Sequence, residues 1–234
     1  MPAKVDHEAR RRDVSAAVWR VLAAEGFGGL TLRAVATELG ATTGLVTHYF
    51  PSKQALIIHA LDLAEARTRE LIPSVEGIRG LAALQQALAS VLPLNPESTE
   101  INRVWVSSWD VALADPDLRA LEKARYKRWR ARLKPLIEQA QQDGDLPPTA
   151  PDDLATSLAA FTHGLVVQAL FDPRTFPHKH QLHLLHTHLD ALRDGVRPAD
   201  SPSPTRTAYR RVAPRLQPPE GGDSLELLDR DDRF

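Results

Sequence analysis

LTLRAVATELGATTGLVTHYFPSK, residues 30–53, reads as two short helices joined by a tight turn and followed by the first turn of a longer one. Leu32, Val35, Ala36 and Leu39 recur at i, i+3, i+4 and i+7, which sets them on one face of a short helix with Thr31 as its N-cap. Gly40 supplies the left-handed conformation that ends it. Thr42 or Thr43 caps the next helix, in which Val46 and Phe50 point inward while Thr43, Gly44, Thr47 and His48 stay outside. Two helices so joined, the second with a small and polar outer face, have the helix-turn-helix form in which the second helix enters a major groove.

The neighbouring segments complete a small domain. DVSAAVWRVLAAEGF, residues 13–27, forms an amphipathic helix with Val14, Val18, Val21 and Leu22 as its stripe and Gly26 as its stop. Pro51 and Ser52 open a fourth helix that runs to about Ile72, with Leu56, Ala60, Leu63 and Arg67 along it. Lys53 lies in its first turn, where a cation opposes the helix dipole unless a phosphate lies nearby. Helical patterns follow at 78–92, 97–114, 116–143, 151–171 and 179–195, separated by proline and glycine breaks. The expected architecture is all-α, with a three-helix head over residues 1–53 and a six-helix second domain over 54–196. Residues 197–234, rich in proline and charge and without an apolar stripe, read as a disordered tail.

At 234 residues and 43% hydrophobic, the chain can bury two cores. The absence of cysteine excludes disulfides and thiolate chemistry and suits a reducing cytoplasm. No leader pattern or long uncharged apolar run is evident, so an intracellular protein outside the membrane is expected. The net charge is −1, yet residues 1–53 carry seven Lys and Arg against five Asp and Glu. That balance fits DNA binding through a few placed contacts rather than a broad basic surface.

In the second domain, Trp105, Trp109, Tyr126 and Phe161 are either ordinary core or the wall of a site for an apolar or cationic ligand. Arg125, Lys127, Arg128, Arg130, Arg132 and Lys134 read as a solvated face. His183 and His186 stand at i, i+3 among His178, His180 and His188, but no third ligand is visible, so neither metal nor cofactor is expected. Ser107 or Ser108 with Asp110 and His163 could be named as a hydrolytic set, but they lie on helices without a nucleophile elbow, and catalysis is not expected.

Ala17, Gly26 and Phe27, the LTLRAVATELG run, and HYFPSKQAL from His48 to Leu56 together resemble the tetracycline-repressor (TetR) family of transcriptional regulators. VWVSSWDVALADPDLRALEKARYKRWRARL and the QQDGDL after it resemble the second domain of its choline-responsive BetI-like branch. The resemblance implies a homodimeric regulator, most often a repressor, that binds a palindromic double-stranded DNA operator and leaves it when a small-molecule effector binds. It implies DNA contacts at Thr42, Thr43, Gly44, Thr47, His48, Tyr49 and Lys53, with phosphate contacts from the start of the second helix at Thr31. Thr47 stands where many relatives carry tyrosine, so base preference does not carry over. The resemblance also implies that the stripes Leu154, Leu158, Phe161, Leu165 and Leu182, Leu185, Leu189, Leu192 pair with their copies across a two-fold axis. An architectural or activating DNA-binding dimer without a ligand is the alternative.

Overall fold

The computed structural model describes residues 2–73 and 77–194, with side chains from residue 8 onward; the tail expected over 197–234 lies outside them. Among the described residues every regular element is a helix: α1 (Pro2–Gly29), α2 (Leu32–Leu39), α3 (Thr43–Tyr49), α4 (Lys53–Leu71), α5 (Gly80–Ala89), α6 (Pro96–Ala114), α7 (Pro116–Gln142), α8 (Pro151–Phe171) and α9 (His178–Arg193). The expected all-α architecture is the one found.

Local chemistry sets most of the boundaries. Thr31 Oγ1 accepts from Ala34 N at 3.0 Å and Ser52 Oγ from Ala55 N at 3.1 Å, so each satisfies a helix-start donor that would otherwise be left over. Asn95 and Ser98 form a reciprocal capping box at the start of α6, and Asp115 accepts from Asp117 N and Leu118 N to start α7. Gly40 has φ 64° and ends α2 as expected. Thr42 takes the N-cap position of α3 without a side-chain capping bond.

Two cores result. The first joins α1 through α4: Val14, Val18, Val21 and Leu22 pack with Val35, Val46, Phe50 and Leu56. On α4 the buried face is Leu56, Ile57, Ala60 and Ala64, one step round from the expected stripe, and Leu63 is half-buried. Arg67 sits at the edge of that face, with its guanidinium 4.1 Å from the Trp19 ring centre. The second core joins α5, α7, α8 and α9 around Leu84, Leu88, Leu133, Ile137, Leu158, Leu185 and Leu189. Helix α6 serves both, for it gives Ile101, Val104, Trp105 and Ala112 to the first and rests Val106 against the second.

Most of the leucine stripes on α8 and α9 is therefore taken up within the chain, with Phe161, Leu182 and Leu192 only partly buried. Leu158, Leu185 and Leu189 have no exposed surface, and Leu154 and Leu165 are buried as well. The α8 stripe faces α7 and α5, and the α9 stripe faces α5 and α8 of the same chain, because that is where this domain closes its own core. Helix α8 is long and apolar enough to cross a membrane, and its composition has a local cause, since eight of its residues are buried, six of them in this core.

Leu185→Ala should therefore lower the unfolding free energy by about 2 to 5 kcal/mol, the usual cost of emptying a fully buried leucine site. Urea unfolding followed by circular dichroism measures it. A variant as stable as wild type would show that α9 faces outward.

Candidate nucleic-acid interface and effector cavity

Helix α3 buries only Val46, with Phe50 just past its end, and turns Thr42, Thr43, Gly44, Thr47 and His48 to solvent. The Thr47 hydroxyl donates to Thr43 O at 2.8 Å, which fixes its rotamer and leaves its methyl and oxygen lone pairs facing outward. Gly44 costs about 1 kcal/mol relative to alanine inside a helix. Nothing in the fold demands it, since a side chain there would meet only Thr42 Oγ1 at 3.8 Å. Tyr49 differs from the other expected contacts: it is half-buried against the head core, with its ring edge-on to His48 at 5.5 Å. Lys53 is exposed in the first turn of α4, and Thr31 is exposed at the start of α2. The expected DNA-facing residues are thus exposed except for Tyr49, and they lie on α3 and at the starts of α2 and α4.

A cavity of about 270 Å³ lies between α4, α6, α7 and α8. Trp105, Trp109 and Trp129 wall it, with Thr68 and His163. Trp105 Nε1 donates to Thr68 Oγ1 at 2.9 Å, which ties α6 to α4. Arg125 is largely buried, its guanidinium 4.2 Å from the Trp105 ring centre and 4.7 Å from that of Tyr126, with Glu122 accepting from its Nε and Nη2. Burial opposes its charge, and the hydrogen bonds and field of Glu122 more than offset that, so the guanidinium is firmly charged. Burial, with Arg125 nearby, pushes His163 down to about 4, so its ring is neutral at physiological pH. Burial also raises the Tyr126 hydroxyl, against the pull of Arg125.

Of the four aromatic residues expected to line a ligand site, Trp105 and Trp109 do so. Tyr126 stands behind the wall, edge-on to His163 at 5.1 Å. Phe161 stacks on His188 at 4.0 Å in the second core and is not in the cavity wall. Arg125, Arg128 and Arg132 do line the cavity, which corrects their assignment to a solvated face, although Arg128 and Arg132 are also exposed at its mouth. A signal was present: Leu118, Glu122, Arg125, Trp129 and Leu133 follow helical spacing, so Glu122 and Arg125 fall on the apolar face as an i, i+3 pair. The hydrolytic set is not assembled. Ser108 is buried and donates to Trp105 O, Asp110 is exposed, and His163 meets Tyr126.

Helix α6 connects the two sites. On its head side Glu100 accepts from Trp19 Nε1 at 2.7 Å, and Ser107 Oγ accepts from Phe27 N at 3.3 Å. On its other side Ile101, Asn102, Trp105 and Trp109 line the cavity. One rigid helix therefore touches both the last turn of α1 and any occupant of the cavity.

The family model for bacterial regulatory proteins of the tetR family matches residues 15–60, and that for the C-terminal domain of BetI-type transcriptional repressors matches residues 81–194. The chain is 28% identical over 177 residues to the HTH-type transcriptional regulator PksA of Bacillus subtilis, covering 74% of this chain and 84% of that one. It is 28% identical over 197 residues to the HTH-type transcriptional regulator BetI of Burkholderia thailandensis, covering 82% and 97%. A crystal structure of a transcriptional regulator from Saccharomonospora viridis in complex with choline superposes with a TM-score of 0.71 at 24% identity, covering 78% of this chain and 96% of that one, a likeness of fold.

The neutral His163 gives a pH test with a definite sign. Its pKa in the folded state lies below the ordinary 6.5, so the unfolded chain takes up a proton first as the medium is acidified. The stability it contributes is present above 6.5 and is lost as the pH falls toward about 4. Between about pH 7 and pH 4, wild type should lose about 3 kcal/mol more than His163→Gln in urea unfolding. Parallel losses in the two proteins would show that the imidazole is hydrated.

Proposed function

We propose that this chain, which belongs to the tetR family of bacterial transcriptional regulators and is not an enzyme, acts as a homodimeric repressor whose hold on a palindromic operator is released by a small molecule. The observation that carries the proposal is the double role of α6, which lines a cavity with one face and grips the end of α1 with the other. An effector in the cavity bears on Trp105 and Trp109 and shifts α6. Through Glu100 and Ser107 that shift moves α1 and the helix-turn-helix behind it. Two heads read two half-sites only at matched spacing, so an effector that prefers a mismatched dimer lowers operator affinity by mass action. Such a protein works beside the chromosome, in the cytoplasm.

On the head, Thr42, Thr43, Thr47 and His48 face base edges and phosphates of one major groove, and Gly44 lets the backbone approach closely. Tyr49 contributes from a position that also packs the core. Thr31 and Lys53 take flanking phosphates, and a phosphate there removes the misfit between the Lys53 ammonium and the α4 dipole.

In the dimer, α8 and α9 present the faces turned away from the leucine stripes. The outer face of α8 carries Ala160, Gly164 and Phe171, the last 81% exposed. A side chain added at Gly164 meets nothing within the chain, which leaves room for close approach by a second helix.

The Saccharomonospora viridis regulator binds choline; in this chain Arg125 already occupies the cation position over Trp105 and Tyr126, which leaves those two rings closed to a quaternary ammonium.

Selection from random duplexes would yield the operator on which the head is tested. Thr47→Ala should reduce discrimination by about 1 to 3 kcal/mol with little change in nonspecific binding, whereas Lys53→Ala should weaken all duplexes alike and lower the salt slope by about one. Unchanged affinities across salt concentrations would place the interface elsewhere. Gly164→Arg should give a folded monomer by sedimentation with weakened operator binding; a persistent dimer would remove α8 from the interface.

A further inference from the structure

We propose that the effector is an anion with a flat apolar body, its body held among the cavity tryptophans and its carboxylate by Arg132 and Arg69 at the mouth. The proposal rests on the cavity being the effector site. Four arginines line it, Arg69 from α4 and Arg125, Arg128 and Arg132 from α7, against one carboxylate, Glu65. Glu65 is bound to Arg128 at 3.3 Å, and Arg125 is held by Glu122 from outside the wall. Arg69 and Arg132 have no acidic partner among the described residues, and the Arg132 guanidinium rests 5.8 Å from the Trp129 ring centre. The cavity thus has an uncompensated positive charge at its exposed end.

Its hydrogen-bonding groups lean the same way. Thr68 Oγ1 accepts from Trp105 and donates to Ala64 O, Ser90 donates to Ala87 O, and Ser98 is occupied by the capping box. Asn102 Nδ2 already donates to Val91 O and Ser98 O. The groups left over at the mouth are donors, the guanidinium N–H groups of Arg69 and Arg132, while the indole nitrogens of Trp109 and Trp129 lie buried within the wall without a partner. A cationic ligand would add like charge to this wall, and a ligand without acceptors would make no bond to the two guanidinium groups at the mouth. A carboxylate matches the planar fork of a guanidinium, and a flat ring system matches the tryptophan walls.

Three of the four tryptophans line the cavity, so intrinsic fluorescence reports its occupancy directly. The full-length protein would be titrated at neutral pH with naphthoate, naphthamide and trimethylnaphthylammonium, which share a ring system and differ in charge, with calorimetry as the second readout. Naphthoate should bind about tenfold or more tightly than the other two. Arg69→Gln/Arg132→Gln, at two exposed positions, should lose that advantage and keep the affinity for naphthamide, with an unchanged circular dichroism spectrum. Equal or tighter binding of the amide or the ammonium overturns the anion proposal and leaves a ligand-binding cavity standing. Naphthoate binding unaltered by the double substitution overturns the assigned seat. Binding of none of the three up to millimolar concentration overturns both the anion proposal and the cavity's role as an effector site.

Discussion

Besides the packing of α4 into the head core, the second domain meets the head where α6 crosses the end of α1. Gly26 has φ 66° there, a conformation that side chains disfavour, and a Cβ would stand 3.0 Å from Ser107 Cβ and Oγ. The glycine therefore both breaks α1 and admits α6, and the freed Phe27 N–H is taken up by Ser107 Oγ. Glu100 on Trp19 fixes a second point on the same helix, so α6 is held at two places about two turns apart. With α6 fixed, Trp105 reaches Thr68 on α4, and the cavity acquires its wall.

Arg125 is the costliest element of that wall. Taking a guanidinium out of water is expensive unless its charge and its donors are satisfied, and here Glu122 supplies a two-pronged partner while Trp105 and Tyr126 offer ring faces. Burial depresses the His163 pKa, and the fixed Arg125 cation beside it adds to the effect. Of the aromatic residues that suggest a cation site in the sequence, Trp105 and Tyr126 are already engaged by the protein's own cation.

The leucine stripes of α8 and α9 show how far a sequence pattern reaches. Helical spacing identifies the apolar face of a helix but carries no information on what covers that face. Here α5 and α7 cover the α8 stripe and α5 and α8 the α9 stripe, within one chain, and the opposite face of α8 carries Gly164 and Phe171. Gly164 and Ala160 gave no hydrophobic signal because small residues contribute little to an apolar stripe.

What the sequence determined by itself is local. The caps Thr31, Ser52 and Asp115, the stops Gly26 and Gly40, and the inward Val35, Val46 and Phe50 are set by interactions within a few residues, and they specify nine helices and an exposed α3 face among the described residues. The tertiary structure alone decided which residues meet across helices: Arg125 with Trp105, Phe161 with His188, and Ser107 with Phe27. Such pairs depend on crossing angles and side-chain volumes summed over the whole chain, so a helical period can place each residue on a face but cannot say which neighbour that face will find.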